Sequence, residues 1–423
     1  MSVYYSTFQP PCFQGFMDAA VRRNFTLGII HESTWGAAMG LVNPFTILPL
    51  AAHALGRSVA DAGLMEAALF AGVNAPQLLA AFVFGPRFSE PKACAWLHSL
   101  CLFGMACAFA SLVWPGLDPD LRWKLFLASF ILHWFGMGLV VPSWASLSSR
   151  NIPTDKLGRY FGWCFAGSGA AAVLTGALGA SLVDHGGLAW GYPACCALAL
   201  AFQIVSVTLL GLTRPVSPVH DHPGKLKPFL KARGRQLLFD RPFQLFLLLV
   251  FLMQFAGGAT QLFTASLKDQ GVPDTAFQWL NPALAVGGMT GSYWLGHLFD
   301  RLGGARPWFI SLGVLLAALG LLVWGGGLSA LALAYVGAGL FNAVYGSVNL
   351  PWVLALAGPG QTPAFMGLFS TLIAPWCFIA PYCLGKLARS QGVHAAFAVS
   401  ALAALACMAL IVASPSLRQK GRA

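Results

Sequence analysis

The sequence predicts an all-α membrane protein whose 12 transmembrane helices form two pseudo-symmetric six-helix bundles. Three observations carry that expectation. Charged residues are 9% of 423 positions and apolar types 57%, whereas a soluble globular chain is roughly one quarter charged. No Lys, Arg, Asp or Glu occurs from Pro307 to Gly385, room for about three helices of ~20 apolar residues each. The halves also echo each other. Pro142 and Pro351, Gly158 and Gly367, and His133 and Asn342 stand 209 positions apart, and Gly85 and Gly296 stand 211 apart; doubled multi-span units are how many carriers are built.

Taken in order, residues 1–24 lack the basic start, apolar core and small-residue cleavage site of a secretory signal and read as a cytoplasmic or interfacial segment. Apolar runs bounded by Gly, Pro or charge place the N-terminal bundle in residues 25–212, with spans near 25–50, 63–83, 93–113, 123–147, 158–183 and 188–212. Residues 213–242 form a basic linker with seven Lys or Arg against Asp221 and Asp240. Within it Leu226, Phe229, Leu230 and Leu237 share one helical face, which predicts a short helix on the membrane surface. The C-terminal bundle occupies 243–413, with spans near 243–267, 277–298, 308–326, 328–355, 364–386 and 391–413, followed by a tail at 414–423.

Summed over alternate loops, 19 Lys or Arg fall on the side of the linker and six on the other. Positive charge concentrates in cytoplasmic loops, so both termini and the linker are expected inside, in a plasma or inner membrane. The net charge of +11 is therefore topological rather than a nucleic-acid footprint. Ten Cys include no C-x-x-C pair and no Cys/His spacing suited to zinc, so neither a metal nor a cofactor is expected.

The segment GHLFDRLGGAR, Gly296 to Arg306, resembles the loop signature of the major facilitator superfamily, G-x-L-x-D-R-x-G followed by basic residues. Gly296, Leu298, Asp300, Arg301 and Gly303 match, and the basic position is displaced to Arg306. The resemblance in layout covers nearly the whole chain. It implies secondary transport by alternating access, a central cavity where the first, fourth, seventh and tenth helices meet, and a conformational latch at these loop residues. Asp300 at a helix end can accept backbone N–H bonds from a neighbouring helix N-terminus and pair with Arg. The first-half copy, GPRFSEPK, has Ser89 and Glu90 where the signature has its acid and arginine, so its latch is expected to be wired differently. The Arg and Gln positions of the family's proton-linked exporters fall on Leu132 and Phe135, and the fifth span has no Gly-Pro pair. Drug–proton exchange is thereby disfavoured.

Ionisable groups inside a bilayer cost about 2.5 to 3.5 kcal/mol on insertion scales, so each one is a candidate functional group. All 25 Lys and Arg lie at span ends or in loops, and of 14 acids only Glu32 lies well inside a span. Proton coupling through a carboxylate would therefore run through Glu32, about 10 Å into the first helix, with His31 beside it. Glu32, Trp35, Met39 and Asn43 form a stripe expected to face the central cavity. His133 on the fourth span, Gln254 and Gln261 on the seventh, and Asn342, Tyr345 and Asn349 on the tenth complete a cavity of imidazole, amides and phenol. The absence of buried Lys or Arg favours a neutral, zwitterionic, cationic or amphipathic small solute over a multiply charged anion. The expected partners are that solute, the lipid bilayer and, if coupled, protons, with the chain acting as a monomer. No nucleophile with an adjacent base and orienting acid can be assembled, which argues against an enzyme. A transporter-like receptor or scaffold without flux, or a lipid-handling membrane protein, are the alternatives.

Overall fold

The computed structural model describes residues 11–44, 47–57, 69, 72–84, 90–216, 225–239, 241–263, 267, 272, 277–324, 327–357 and 361–418. Backbone polar groups have no water to bond inside a bilayer, so apolar segments fold as helices. The first half comprises α1 (Pro11–Leu41), a short α2 (Ile47–Ala54), α3 (Gln77–Val83), α4 (Pro91–Leu97), α5 (Ser99–Val113), α6 (Pro119–Asn151), α7 (Leu157–Gly186) and α8 (Gly191–Gly211). The linker holds α9 (Leu226–Phe239). The second half comprises α10 (Arg241–Gly258), α11 (Phe277–Leu302), α12 (Ala305–Trp324), α13 (Leu328–Asn342), α14 (Leu350–Leu356), α15 (Thr362–Gln391) and α16 (Val393–Ala413). Among the described residues eight helices, counting α4–α5 and α13–α14 each as one, are long and apolar enough to cross a membrane. The shorter apolar helices Gly72–Val83 and Phe243–Gly258, together with α1 and α11, complete twelve rods.

Several ends differ from the spans expected above. The first helix begins at Pro11, inside the expected lead-in, and stops at Leu41 rather than near 50. Pro44 explains the stop, since the residue before a proline is biased away from helical geometry. The third span is broken at His98 between α4 and α5. The seventh leaves regular helix at Gly258 for a 3-10 turn, Ala259–Leu262. The tenth is interrupted by a π-helical segment, Tyr345–Asn349, between α13 and α14. Such segments often mark functional sites.

Two crossings bring the halves together at the end of the bundle that carries the linker. On one side α7 meets α11 so closely that a Cβ at Gly158 would lie 2.4 Å from the Gly296 carbonyl oxygen. On the other α3 meets α15, where a Cβ at Gly367 would lie 2.7 Å from the Gln77 oxygen. Gly158 and Gly367 are the repeat-related pair, so the crossings are equivalent under the pseudo-twofold relation. Helix α9 braces the second crossing. Its Phe229 is buried against Ala364 and Leu368 of α15 and stacks edge-on to Phe82 of α3 at 5.0 Å. At the opposite end Asp118 caps α6 by accepting from the Asp120 and Leu121 N–H groups at 2.9 and 3.2 Å. Asp120 in that first turn, where the helix dipole favours an acid, pairs with Arg57 and Lys124.

Candidate functional site

The polar residues expected to share one cavity occupy two. The first lies in the N-terminal half, has a volume of about 260 Å³, and is walled by His31, Glu32, Trp35, His98, Trp144 and Phe165, among others. The second, about 410 Å³, lies mostly in the C-terminal half and collects Gln254, Asn342, Tyr345 and Asn349, with Asn74 as its contribution from the other half. The single mixed cavity is thus corrected: the imidazoles and the amides are apart. Phe165 of α7 stands between the halves, lining the first cavity and also a cleft that reaches Asn342.

In the first cavity α1 presents His31 and Glu32 almost fully buried. Their side chains meet, His31 Nε2 to Glu32 Oε1, at 3.4 Å. The Ser206 hydroxyl of α8 donates to the His31 carbonyl oxygen at 2.8 Å. That leaves the Ser206 hydroxyl and carbonyl oxygens, 2.8 and 3.0 Å from His31 Nδ1, as acceptors. Nδ1 therefore carries the hydrogen, and Nε2 turns a lone pair toward the carboxyl. A hydrogen bond across the pair then requires one further proton, on Oε1 or on Nε2. The Trp144 indole faces the same carboxyl.

His98 completes this cluster. It sits at the break between α4 and α5, its Nδ1 2.8 Å from the Cys94 oxygen, with ring centroids 6.1 Å from His31 and 5.7 Å from Trp35. The expected stripe on α1 divides. Glu32 and Trp35 line the cavity, Met39 packs against the first-half core, and Asn43 lies beyond the helix end, its carbonyl accepting from Leu48 N–H at 3.0 Å. His133 is fully buried behind Trp35, stacked on it at 6.2 Å, with Nδ1 2.9 Å from the Cys101 oxygen. It is not part of either cavity wall. His98, Trp144 and Ser206 were not singled out by sequence; the signal for His98 was an ionisable ring inside an apolar run, the criterion that selected Glu32.

The second cavity is lined by neutral donors and acceptors. Asn342, Tyr345 and Asn349 face it together, at the i, i+3, i+7 spacing that shares one helical face. Tyr345 donates to the Met253 carbonyl at 3.1 Å, which anchors its ring to α10. Asn349 Oδ1 is buried with no hydrogen-bond partner among the described residues, and the residue is only 8% exposed. A buried orphan acceptor beside a cavity invites a ligand donor. The backbone of Gln261 is described within the 3-10 turn, and its side chain lies outside the described residues.

At the linker end Asp300 of α11 reaches the N-terminus of α7. Its Oδ1 accepts from Gly158 N–H at 2.8 Å, and its Oδ2 from Arg159 N–H and Nε–H at 2.9 and 3.0 Å. Gly296 makes the close approach described above, and Gly303 turns the chain at φ +78°, a left-handed conformation natural to glycine. Arg301 and Arg306 are exposed. The first-half copy is wired differently: Glu90 pairs with Arg150 of α6, in its own half, at 2.9 Å. Residues 85–89 of that loop, including Gly85 and Ser89, lie outside the described residues.

Comparison with solved structures gives the same architecture. The transporter FucP, an E. coli fucose:proton symporter, in its outward conformation matches with a TM-score of 0.72 at 15% identity, covering 92% of this chain and 97% of that one. A bacterial homologue of the iron transporter ferroportin, outward-facing, matches at 0.70 and 17% identity over 93% and 98%. The proton:xylose symporter XylE matches at 0.70 and 13% over 94% and 96%. At these identities the likeness is one of fold. No curated protein matches the sequence. The model of the Major Facilitator Superfamily, however, matches residues 33–381, and with most of its length inside that match the chain belongs to this superfamily of membrane transporters.

Proposed function

We propose that the protein carries a small hydrogen-bonding solute through the 410 Å³ chamber and couples its movement to a proton held by Glu32 and His31. The family establishes a multi-pass membrane transporter rather than an enzyme, working by secondary transport with alternating access. The observation that carries the finer reading is the division of labour between the cavities. One holds a carboxyl–imidazole pair with room for one exchangeable proton; the other holds only neutral polar groups. That chamber suits a neutral solute best, and admits zwitterionic, cationic or amphipathic ones before a multiply charged anion. With the linker end taken as the cytoplasmic face, in keeping with its excess of Lys and Arg, the Asp300 contacts close the inner side. The chain is taken to act as a monomer.

The test begins with a thermal-shift screen for solutes that stabilise the purified protein. In proteoliposomes an imposed proton gradient should then drive accumulation of the stabilising solute. Glu32→Gln should keep exchange down a solute gradient and lose accumulation against one. Undiminished accumulation in that variant would remove Glu32 from the mechanism.

A further inference from the structure

The amide chamber is open on its flank. Asn342 lines it and also lines a cleft of about 450 Å³ between α7 and the pair α11–α13. Met289 lines that cleft and also a groove of about 510 Å³ on the outside of the bundle, walled by Trp163, Tyr293 and Trp294. Asn342 and Met289 are thus shared walls that set the three spaces side by side, from the lipid-facing surface to the chamber. Trp163 stands six residues into α7, and Phe165 and Val173, the first and last α7 residues along the cleft, stand eight and sixteen, so the groove begins about 9 Å from the helix end and the cleft runs from about 12 to about 24 Å. The route therefore runs from near the interface to mid-depth.

The chemistry changes along this route. The groove is aromatic, with Trp163, Tyr293 and Trp294 each more than one third exposed. The cleft is apolar and kept open by glycines: a Cβ at Gly288 would meet nothing nearer than the Gly339 oxygen at 3.8 Å. The chamber at its end offers neutral amides, with Asn349 Oδ1, unpartnered among the described residues, buried at its wall. Among the described residues no Lys, Arg, Asp or Glu lines any of the three spaces. An apolar path ending in uncharged hydrogen-bonding groups fits a molecule with one chain and one neutral head.

Building on the transport reading above, we infer that the solute is a single-chain amphiphile with an uncharged hydroxyl- or amide-bearing head. It enters laterally from the bilayer through the Met289 cleft. Its head donates to Asn349 while its chain remains between α7 and α11.

The experiment follows a radiolabelled hexadecyl glucoside, added in trace amount to the outer leaflet of proteoliposomes and recovered by cyclodextrin extraction over time. The protein should speed its disappearance from the extractable pool at least tenfold over empty vesicles, while hexadecyl phosphate, with the same chain and an anionic head, should show no acceleration. Gly288→Leu and Met289→Trp, which fill the cleft, should each abolish the acceleration at an unchanged thermal unfolding midpoint. Asn349→Leu should reduce it. Absence of protein-dependent glucoside movement overturns the inference, as does full acceleration in both cleft variants or equal acceleration of the phosphate. The response to a proton gradient is read separately in the same vesicles. Glucoside movement indifferent to the gradient overturns the Glu32 coupling and leaves the lateral route standing.

Discussion

Asp300 is 3% exposed in its side chain and directs both carboxylate oxygens at the start of one helix. Hydrogen bonds to a charged acceptor contribute about 1.5 to 3 kcal/mol each, and a helix N-terminus adds its dipole. Asp300→Asn keeps one acceptor oxygen and turns an NH₂ group toward the Arg159 donors, so at least one bond is lost. The linker end should open by a factor of roughly 10 to 150 relative to wild type. Spin labels on the linker-side ends of α7 and α11 would report it as a longer distance population; an unchanged distribution would deny Asp300 the latch role. Asp300 was legible through the loop signature at Gly296 to Arg306, whereas Glu32 was legible because charge is scarce in this chain and a lone acid within apolar sequence has to be accounted for. His31 and Glu32 were legible only as neighbours, since residues adjacent on a helix point about 100 degrees apart and their contact depends on how Ser206 of α8 turns the ring. His133 looked like a cavity residue by depth alone. Depth says nothing about which way a side chain faces, and this ring is covered by Trp35.

At the scale of elements, composition located the helices and proline or glycine moved their ends. The repeat offset aligned Pro142 with Pro351, yet Pro142 lies inside the unbroken α6 while Pro351 follows a π segment. Gly346 within that segment abuts the Phe165 ring, which a Cβ there would meet at 2.6 Å, a contact across the two halves. The linker helix α9 was expected on the membrane surface as a tether. Its Phe229, buried between α3 and α15, makes it in addition a brace across the two halves. Truncating a buried Phe costs about 3 to 5 kcal/mol, and here that cost falls on the state in which the α3–α15 crossing is shut. Phe229→Ala should therefore favour the opened linker end by roughly a hundredfold or more and leave the unfolding of each half largely unaffected. Cysteine-labelling rates at the linker-side end of α15 would rise accordingly. Equal rates in variant and wild type would reduce α9 to a tether.

The whole molecule closes its linker end through two crossings that the pseudo-twofold relation makes equivalent, and this tests whether the halves rock as rigid bodies. A methyl group at Gly158 or Gly367 points at backbone oxygen 2.4 or 2.7 Å away, an obstacle that cannot rotate aside. Overpacking of this kind costs about 1 to 3 kcal/mol, and it acts only while the crossing is shut. If one rigid motion opens both crossings, the two costs fall on the same closed state and add, as they do for well-separated sites. Gly158→Ala and Gly367→Ala would each shift the equilibrium about tenfold, and together about a hundredfold. Each single variant would also lengthen the distance at the crossing it does not touch. Paired spin labels on α7 with α11, and on α3 with α15, measure both distances in every variant. Lengthening confined to the mutated crossing would replace rigid rocking with local bending of α7 or α15, and the double variant would then exceed neither single at its own crossing.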